Sequence, residues 1–145
     1  MEFTTPAQEQ CYARVSPWIA ELFGDLATVR AEEPIWDIRV GSSVTELGIF
    51  PWKQDESVVS ARAVVVRNVK FVPELLQYLL RQNSVMRFGA FGIESDNEVY
   101  FLYSLVGSTC DKPELEASVR SVSSMADHYD DEIVNRWGGQ RACDA

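Results

Sequence analysis

The sequence predicts an α+β fold, in the order α-β-β-β-α-β-β-α, with a bent antiparallel sheet of about five strands and helices packed on it. Three observations carry that expectation. Apolar residues recur at helical spacing in three separated segments. They alternate, or form β-branched runs, in five others. The connections within each group of strands are short, which antiparallel pairing permits and parallel pairing does not.

The first helix is expected from Pro6 to Phe23, where Cys11, Val15, Trp18, Ile19 and Leu22 form one apolar stripe. Ser16-Pro17 interrupts it and predicts a kink or a restart, with Ser16 as N-cap and Pro17 as first helical residue. Gly24 is the expected C-cap. After Glu32-Glu33-Pro34, the apolar Trp36, Ile38 and Val40 alternate with Asp37 and Arg39, a half-buried strand. A turn at Gly41–Ser43 leads into a second strand, Val44 to Trp52, with Pro51 as an edge or end residue because it cannot donate to a ladder. Lys53–Ser57 turns the chain again. The third strand is Val58 to Arg67, and its Ala63-Val64-Val65-Val66 run is too β-branched for a helix.

The second helix is placed from Val72 to Asn83, with Pro73 in its first turn and Leu75, Leu76, Leu79 and Leu80 on its apolar face. Two strands follow, Phe88 to Glu94 and Val99 to Val106, separated by a turn at Ser95–Asn97. The latter is almost wholly apolar and is expected at the sheet centre, covered on both faces. Asp111-Lys112-Pro113-Glu114 is a capping box for the last helix, whose stripe runs through Leu115, Val119, Val122, Ala126, Tyr129 and Ile133 until Gly138-Gly139. Residues 140–145 are expected to fray.

The length of 145 residues suits one domain spanning 1–145. Thirteen basic against twenty-two acidic residues leave a net charge of −9, which excludes nucleic acid as a natural partner. No apolar run reaches the ~18 residues of a membrane span. Met1–Pro6 lacks the basic and apolar regions of a secretion leader. A soluble, cytoplasmic protein without a membrane partner is expected. Cys11, Cys110 and Cys143 are odd in number and widely spaced, which predicts reduced thiols rather than disulfides or a zinc site.

Four strings occur in a characteristic order: Leu79-Leu80-Arg81-Gln82-Asn83, Phe88-Gly89-Ala90-Phe91-Gly92-Ile93, Ala126-Asp127-His128-Tyr129-Asp130-Asp131, and Gly138-Gly139. With the element order, they make the chain from about Trp18 to Gly139 resemble the YbjN-type domain family, closest in flavour to its small cyanobacterial members. The resemblance implies a fold like that of type III secretion chaperones. It also implies homodimers that bind partly unfolded partner proteins, with no catalytic motif and no cofactor.

The residues themselves nominate little chemistry. Asp127, His128, Asp131 and Glu132 share helical faces and suggest a divalent-metal or small-molecule sensor as an alternative function. Against that, the stripe of the same helix turns these acids to its flanks, where they read as a solvated face that braces the loop around Arg87. His128 is the only histidine, so any serine triad must use it, and no G-x-S-x-G elbow accompanies it, which argues against such a triad. The Gly89–Gly92 segment is followed by no lysine and no helix start, which excludes a P-loop. The expected protein is not an enzyme.

The aromatics are more telling. If Leu47 and Ile49 face the helices, Phe50 and Trp52 fall on the opposite face of the strands, either as ordinary core or as a docking patch. The reading is a noncatalytic, homodimeric protein-binding module, with Phe50 and Trp52 on the sheet and Leu76 and Tyr78 on the second helix as its contacts.

Overall fold

The structure, a computed structural model, describes residues 1–144. The chain runs α1 (Pro6–Phe23), β1 (Ala27–Val29), β2 (Ile35–Val40), β3 (Ser43–Trp52), β4 (Glu56–Arg67), α2 (Pro73–Val85), β5 (Ala90–Glu94), β6 (Glu98–Val106), α3 (Lys112–Trp137) and β7 (Gln140–Arg141). The α+β class holds, and all the strand pairs are antiparallel. The sheet has seven strands rather than about five, in the order β1-β2-β3-β4-β6-β5, with β7 also paired to β4. The two additions are three and two residues long, too short for any periodicity to announce them.

Helix α1 starts where the Thr5 hydroxyl accepts a hydrogen bond from the Gln8 amide, 3.2 Å, with Pro6 in the first turn. It runs unbroken through Pro17, contrary to the expected restart, and Ser16 caps nothing. The physical reason lies on either side of the proline. Val15 and Ile19 are 0% and 1% exposed against the sheet, and their burial holds the axis across one missing backbone hydrogen bond.

Strand β4 is the spine of the sheet. Ser57, Val59, Ala61, Ala63 and Val65 are buried and alternate with half-buried residues, so only one face lies under the helices. Its partners continue that face: Leu47 and Ile49 on β3, Val99 and Phe101 on β6, Trp36 and Ile38 on β2. Helices α1 and α3 pack on β3 and β4, and α2 packs on β5. A bulge between Val64 and Val66 turns both Val65 and Val66 inward.

Strand β6 departs from expectation. It stands beside the edge strand β5, not at the centre, and only its Val99–Phe101 face is fully covered. Helix α2 continues past Asn83 to Val85. The Asn83 side chain brackets the Phe91 backbone instead, donating to its carbonyl at 3.1 Å and accepting from its amide at 2.7 Å. That pairing occupies part of an edge strand that begins at Ala90 rather than Phe88. Pro51 sits near the end of β3, beyond Gly48, the last residue β2 reaches, so its missing N–H faces no partner strand.

Helix α3 opens as expected, with Asp111 Oδ1 accepting from the Glu114 amide at 2.8 Å. It ends at Gly138, and where a frayed tail is expected residues 140–144 form a short strand and a 3-10 turn, Ala145 lying outside the described residues. Gln140 and Arg141 pair with Arg67 and Val66 as β7. The return depends on two consecutive glycines at positive φ, 81° and 86°. A Cβ on Gly138 would meet open space, whereas one on Gly139 would lie 2.7 Å from the Arg67 carbonyl oxygen.

Alanine at either position therefore carries left-handed strain, and only Gly139→Ala adds a backbone clash. Urea unfolding should show Gly139→Ala less stable than Gly138→Ala by about 1 kcal/mol or more. Equal midpoints would mean that the β4–β7 return does not support the fold.

Candidate docking face

The register of the sheet determines what its uncovered face presents. Across that face, Phe50 pairs with Val58 and Val58 with Val106, an apolar row over three strands. The next row is Ile35, Gly48, Ser60 and Ser104, with the two serine hydroxyls 2.9 Å apart. Beyond it lie Asp37, Glu46, Arg62, Leu102 and Ala90.

Phe50 is 42% exposed and Val106 41%, while Leu102 is half-buried. The Phe50 ring folds back along its own strand, where a Cβ on Gly48 would lie 2.5 Å from it. Glycine at 48 thus lets the ring lie flat beside Ile35 and wall a shallow cavity of about 140 Å³, whose far side is Arg62 and Leu102. The Tyr100 ring similarly occupies the space a Cβ on Gly92 would take, and the Arg62 guanidinium sits 4.3 Å above that ring.

Arg62 is held by Glu94 at 3.0 Å, and Arg30 bridges Asp37 at 2.7 Å and Glu46 at 2.9 Å. These charges are thus mutually paired beside an apolar strip, while Arg39, on the same face of β2, is exposed and makes no ion pair among the described residues. At one end Trp52, 43% exposed, lies under the Lys53 ammonium, 4.5 Å from the ring centroid. Beside it, the Ser108 hydroxyl and the Ser57 amide hold the Glu56 carboxyl below its usual range.

The four contact residues expected from the sequence do not form one patch. Phe50 and Trp52 share the uncovered face of β3, opposite the buried Leu47 and Ile49. Leu76 lines a separate apolar groove of about 260 Å³ between α2 and β5, with Leu80, Phe91 and Ile93. Tyr78 turns to α3, its ring 5.1 Å from Trp137 and covered by Arg136 at 4.9 Å. Burial, with the Glu132 carboxylate beside it, pushes its hydroxyl well above the ordinary tyrosine value.

Sequence reasoning missed Ile35, Val58, Leu102 and Val106 as companions of Phe50. Alternation marks which residues point away from the helices, but the strand register decides which of them meet.

The acidic stretch of α3 is dispersed in its contacts. Asp127 accepts from the Ser42 hydroxyl at 3.0 Å, Asp131 pairs with Arg141 at 3.3 Å, and Glu132 with Arg136 at 3.5 Å. These acids brace the β2–β3 turn and the C-terminal strand rather than the loop around Arg87. Among the described residues no group of three or more His, Cys, Asp or Glu is placed to hold a metal ion. Burial pushes the Cys110 thiol up to about 12, so it carries almost no thiolate near neutral pH. No helix among the described residues is long and apolar enough to cross a membrane.

Among the described residues, the helices cover one face of the antiparallel sheet and leave the apolar strip on the other. Residues 9–145 match the family described as T3SS (YopN, CesT) and YbjN peptide-binding chaperone 1, and the chain belongs to that family. This bears out the resemblance carried by the four strings; it says nothing of a cyanobacterial source. No curated protein matches the sequence.

Solved structures share the fold at low identity. The HopA1–SchA chaperone–effector complex is 7% identical with a TM-score of 0.63, covering 82% of this chain and 91% of that one. The Yersinia pestis type III secretion chaperone SycH, in complex with a stable fragment of YscM2, is 12% identical with a TM-score of 0.62, covering 81% and 98%. The ExsC–ExsE complex is 13% identical with a TM-score of 0.62, covering 88% and 96%.

One acid of α3 is buried. Asp130 is 7% exposed, and desolvation, with the Asp131 and Asp127 charges, raises its carboxyl above the ordinary value against the opposing pull of the Asp131 amide and Arg141. An acid whose folded pKa is raised binds its proton more tightly when folded. Its effect on stability is thus favourable at low pH and is lost as pH rises through the folded value. Asp130→Asn removes that loss, so the melting temperature of the variant relative to the parent should rise from about pH 3 to about pH 7. A difference independent of pH would show that burial does not disfavour this carboxylate.

Proposed function

We propose that the protein is a noncatalytic chaperone-like or regulatory adaptor, homodimeric and cytoplasmic, that binds an extended segment of a partner protein on the uncovered face of its sheet. The observation that carries this reading is the apolar strip of Phe50, Val58, Val106 and Leu102, lying beside the paired charges of Arg30, Asp37, Glu46, Arg62 and Glu94. A fully buried side chain of this size contributes about 1.5–3 kcal/mol, and these are already half-covered, so no single contact suffices. Association costs several kcal/mol, which makes a row of anchors across strands the arrangement a peptide needs. Trp52 extends the row at the hairpin end. The net charge of −9 opposes indiscriminate self-association of the exposed apolar surface.

The dimer contact in this reading is the α2–β5 groove. Leu76 lines it and Leu80, 69% exposed, rims it, while Tyr78, clamped by Trp137 and Arg136, fixes the helix that presents them.

Selection of random peptides on the purified protein tests the reading. Peptides rich in alternating apolar residues should be enriched, and Phe50→Asp with Leu102→Asp should weaken their binding at least about tenfold while leaving the unfolding midpoint within about 1 kcal/mol of the parent. Light scattering should give a dimer that Leu76→Asp with Leu80→Asp converts to a folded monomer. A strictly monomeric parent that enriches no peptide would overturn the proposal.

A further inference from the structure

A second recess lies on the helical side of the sheet, away from the strip of Phe50 and Leu102. The segment joining α2 to β5 lies beside α3 there and borders an open recess of about 440 Å³. Met86 and Phe88 form one wall and Met125 another, with Arg87, Arg120, Ser121 and Ser124 supplying the polar lining. Phe88 is 66% exposed, yet it is not loose, since its ring stacks on Tyr103 at 5.8 Å.

The charge of this recess is opposite to that of the chain. Twenty-two acidic residues outnumber thirteen basic ones overall, but none of the lining residues is acidic and two are arginines. Among the described residues Arg87 makes no ion pair. Arg120 pairs with Glu116, one turn away on the same helix at 3.4 Å with both side chains well exposed, and its guanidinium also lies 5.5 Å from the centroid of the Phe23 ring. Such a pair contributes little and exchanges readily for a better acceptor. By contrast, Arg30, Arg62 and Arg67 each face a carboxylate from another strand or loop.

We propose that this recess is a second docking site, for a partner-protein segment in which an aspartate or glutamate stands between apolar residues. Two guanidinium groups with flanking hydroxyls suit one carboxylate. The methionine and phenylalanine walls suit the adjoining apolar side chains and adapt to their shape. A bare anion would leave those walls wet. A polyanion would meet the repulsion of the surrounding acidic surface. The site rests on the peptide-binding reading only for the class of its occupant; its residues are separate from the sheet strip.

The chain has three methionines, and two of them, Met86 and Met125, line the recess. Methyl-labelled methionine therefore reports on the site by NMR, with Met1 as internal reference. The probe is a synthetic Gly/Ser decapeptide with a central Leu-Glu-Leu, compared with its Leu-Gln-Leu counterpart. Saturable shifts of the Met86 and Met125 methyls without movement of Met1 are expected. The glutamine peptide should bind about tenfold more weakly. Arg87→Glu with Arg120→Glu should abolish the preference for glutamate, and the paired lysine variants should retain part of it.

Equal affinity for the two peptides, or unmoved methyls at saturation of a labelled peptide, would overturn the site. So would loss of the shifts in folded Phe50→Asp/Leu102→Asp protein, which would place the peptide on the sheet. Shifts that persist in that variant would support the recess independently of the sheet, and only an absence of sheet binding in the parent protein would remove the other reading.

Discussion

Burial of a single face of β4 is the constraint from which the rest of the molecule follows. Twelve residues alternate between the helical layer and the opposite side, and β3, β6 and β7 all register on them. Because side-chain direction in a strand has period two, a slip of one residue would expose Val59, Ala61 and Ala63 and bury Arg62. Desolvating that guanidinium without its Glu94 partner costs more than any alternative packing returns. The register is thereby fixed, and with it the rows of side chains on both faces.

Three helices cover one side of that sheet, so the other side is composed under different rules. Several of its charged residues are paired laterally, Arg30 with Asp37 and Glu46, Arg62 with Glu94, beside the apolar strip. A chain belonging to a peptide-binding chaperone family retains this surface half-covered, in keeping with a role that depends on partners. The recess between Arg87 and Arg120 differs, with two basic groups and no acidic residue in its lining in an acidic chain.

Much of the architecture was legible from local signals. The capping box at Asp111–Glu114, the glycine stop at Gly138, the alternation of Trp36, Ile38 and Val40, and the β-branched run at Ala63–Val66 each mark an element that the structure contains. The errors share one cause, which is that long-range burial outweighs local preference. Pro17 was read as a break, but Val15 and Ile19 lock the helix on both sides of it. Asn83 was read as a terminator, yet its amide serves the edge of β5. Gln140 and Arg141 carry no strand signal and pair only because two glycines bring them beside Val66 and Arg67. The apolar run of β6 suggested two covered faces, whereas its outward residues belong to the open strip.

For the candidate site, the sequence alone established that Phe50 and Trp52 point away from Leu47 and Ile49, since alternation along one strand is a property of the backbone itself. It also established the acidic balance, which depends on residue identity alone. Only the tertiary structure decided that Phe50 meets Val58 and Val106, that Leu76 and Tyr78 face different neighbours, and that Arg87 and Arg120 converge. Those juxtapositions join residues far apart in the chain. Their geometry is set by strand register and helix packing, which emerge when the whole core is buried at once.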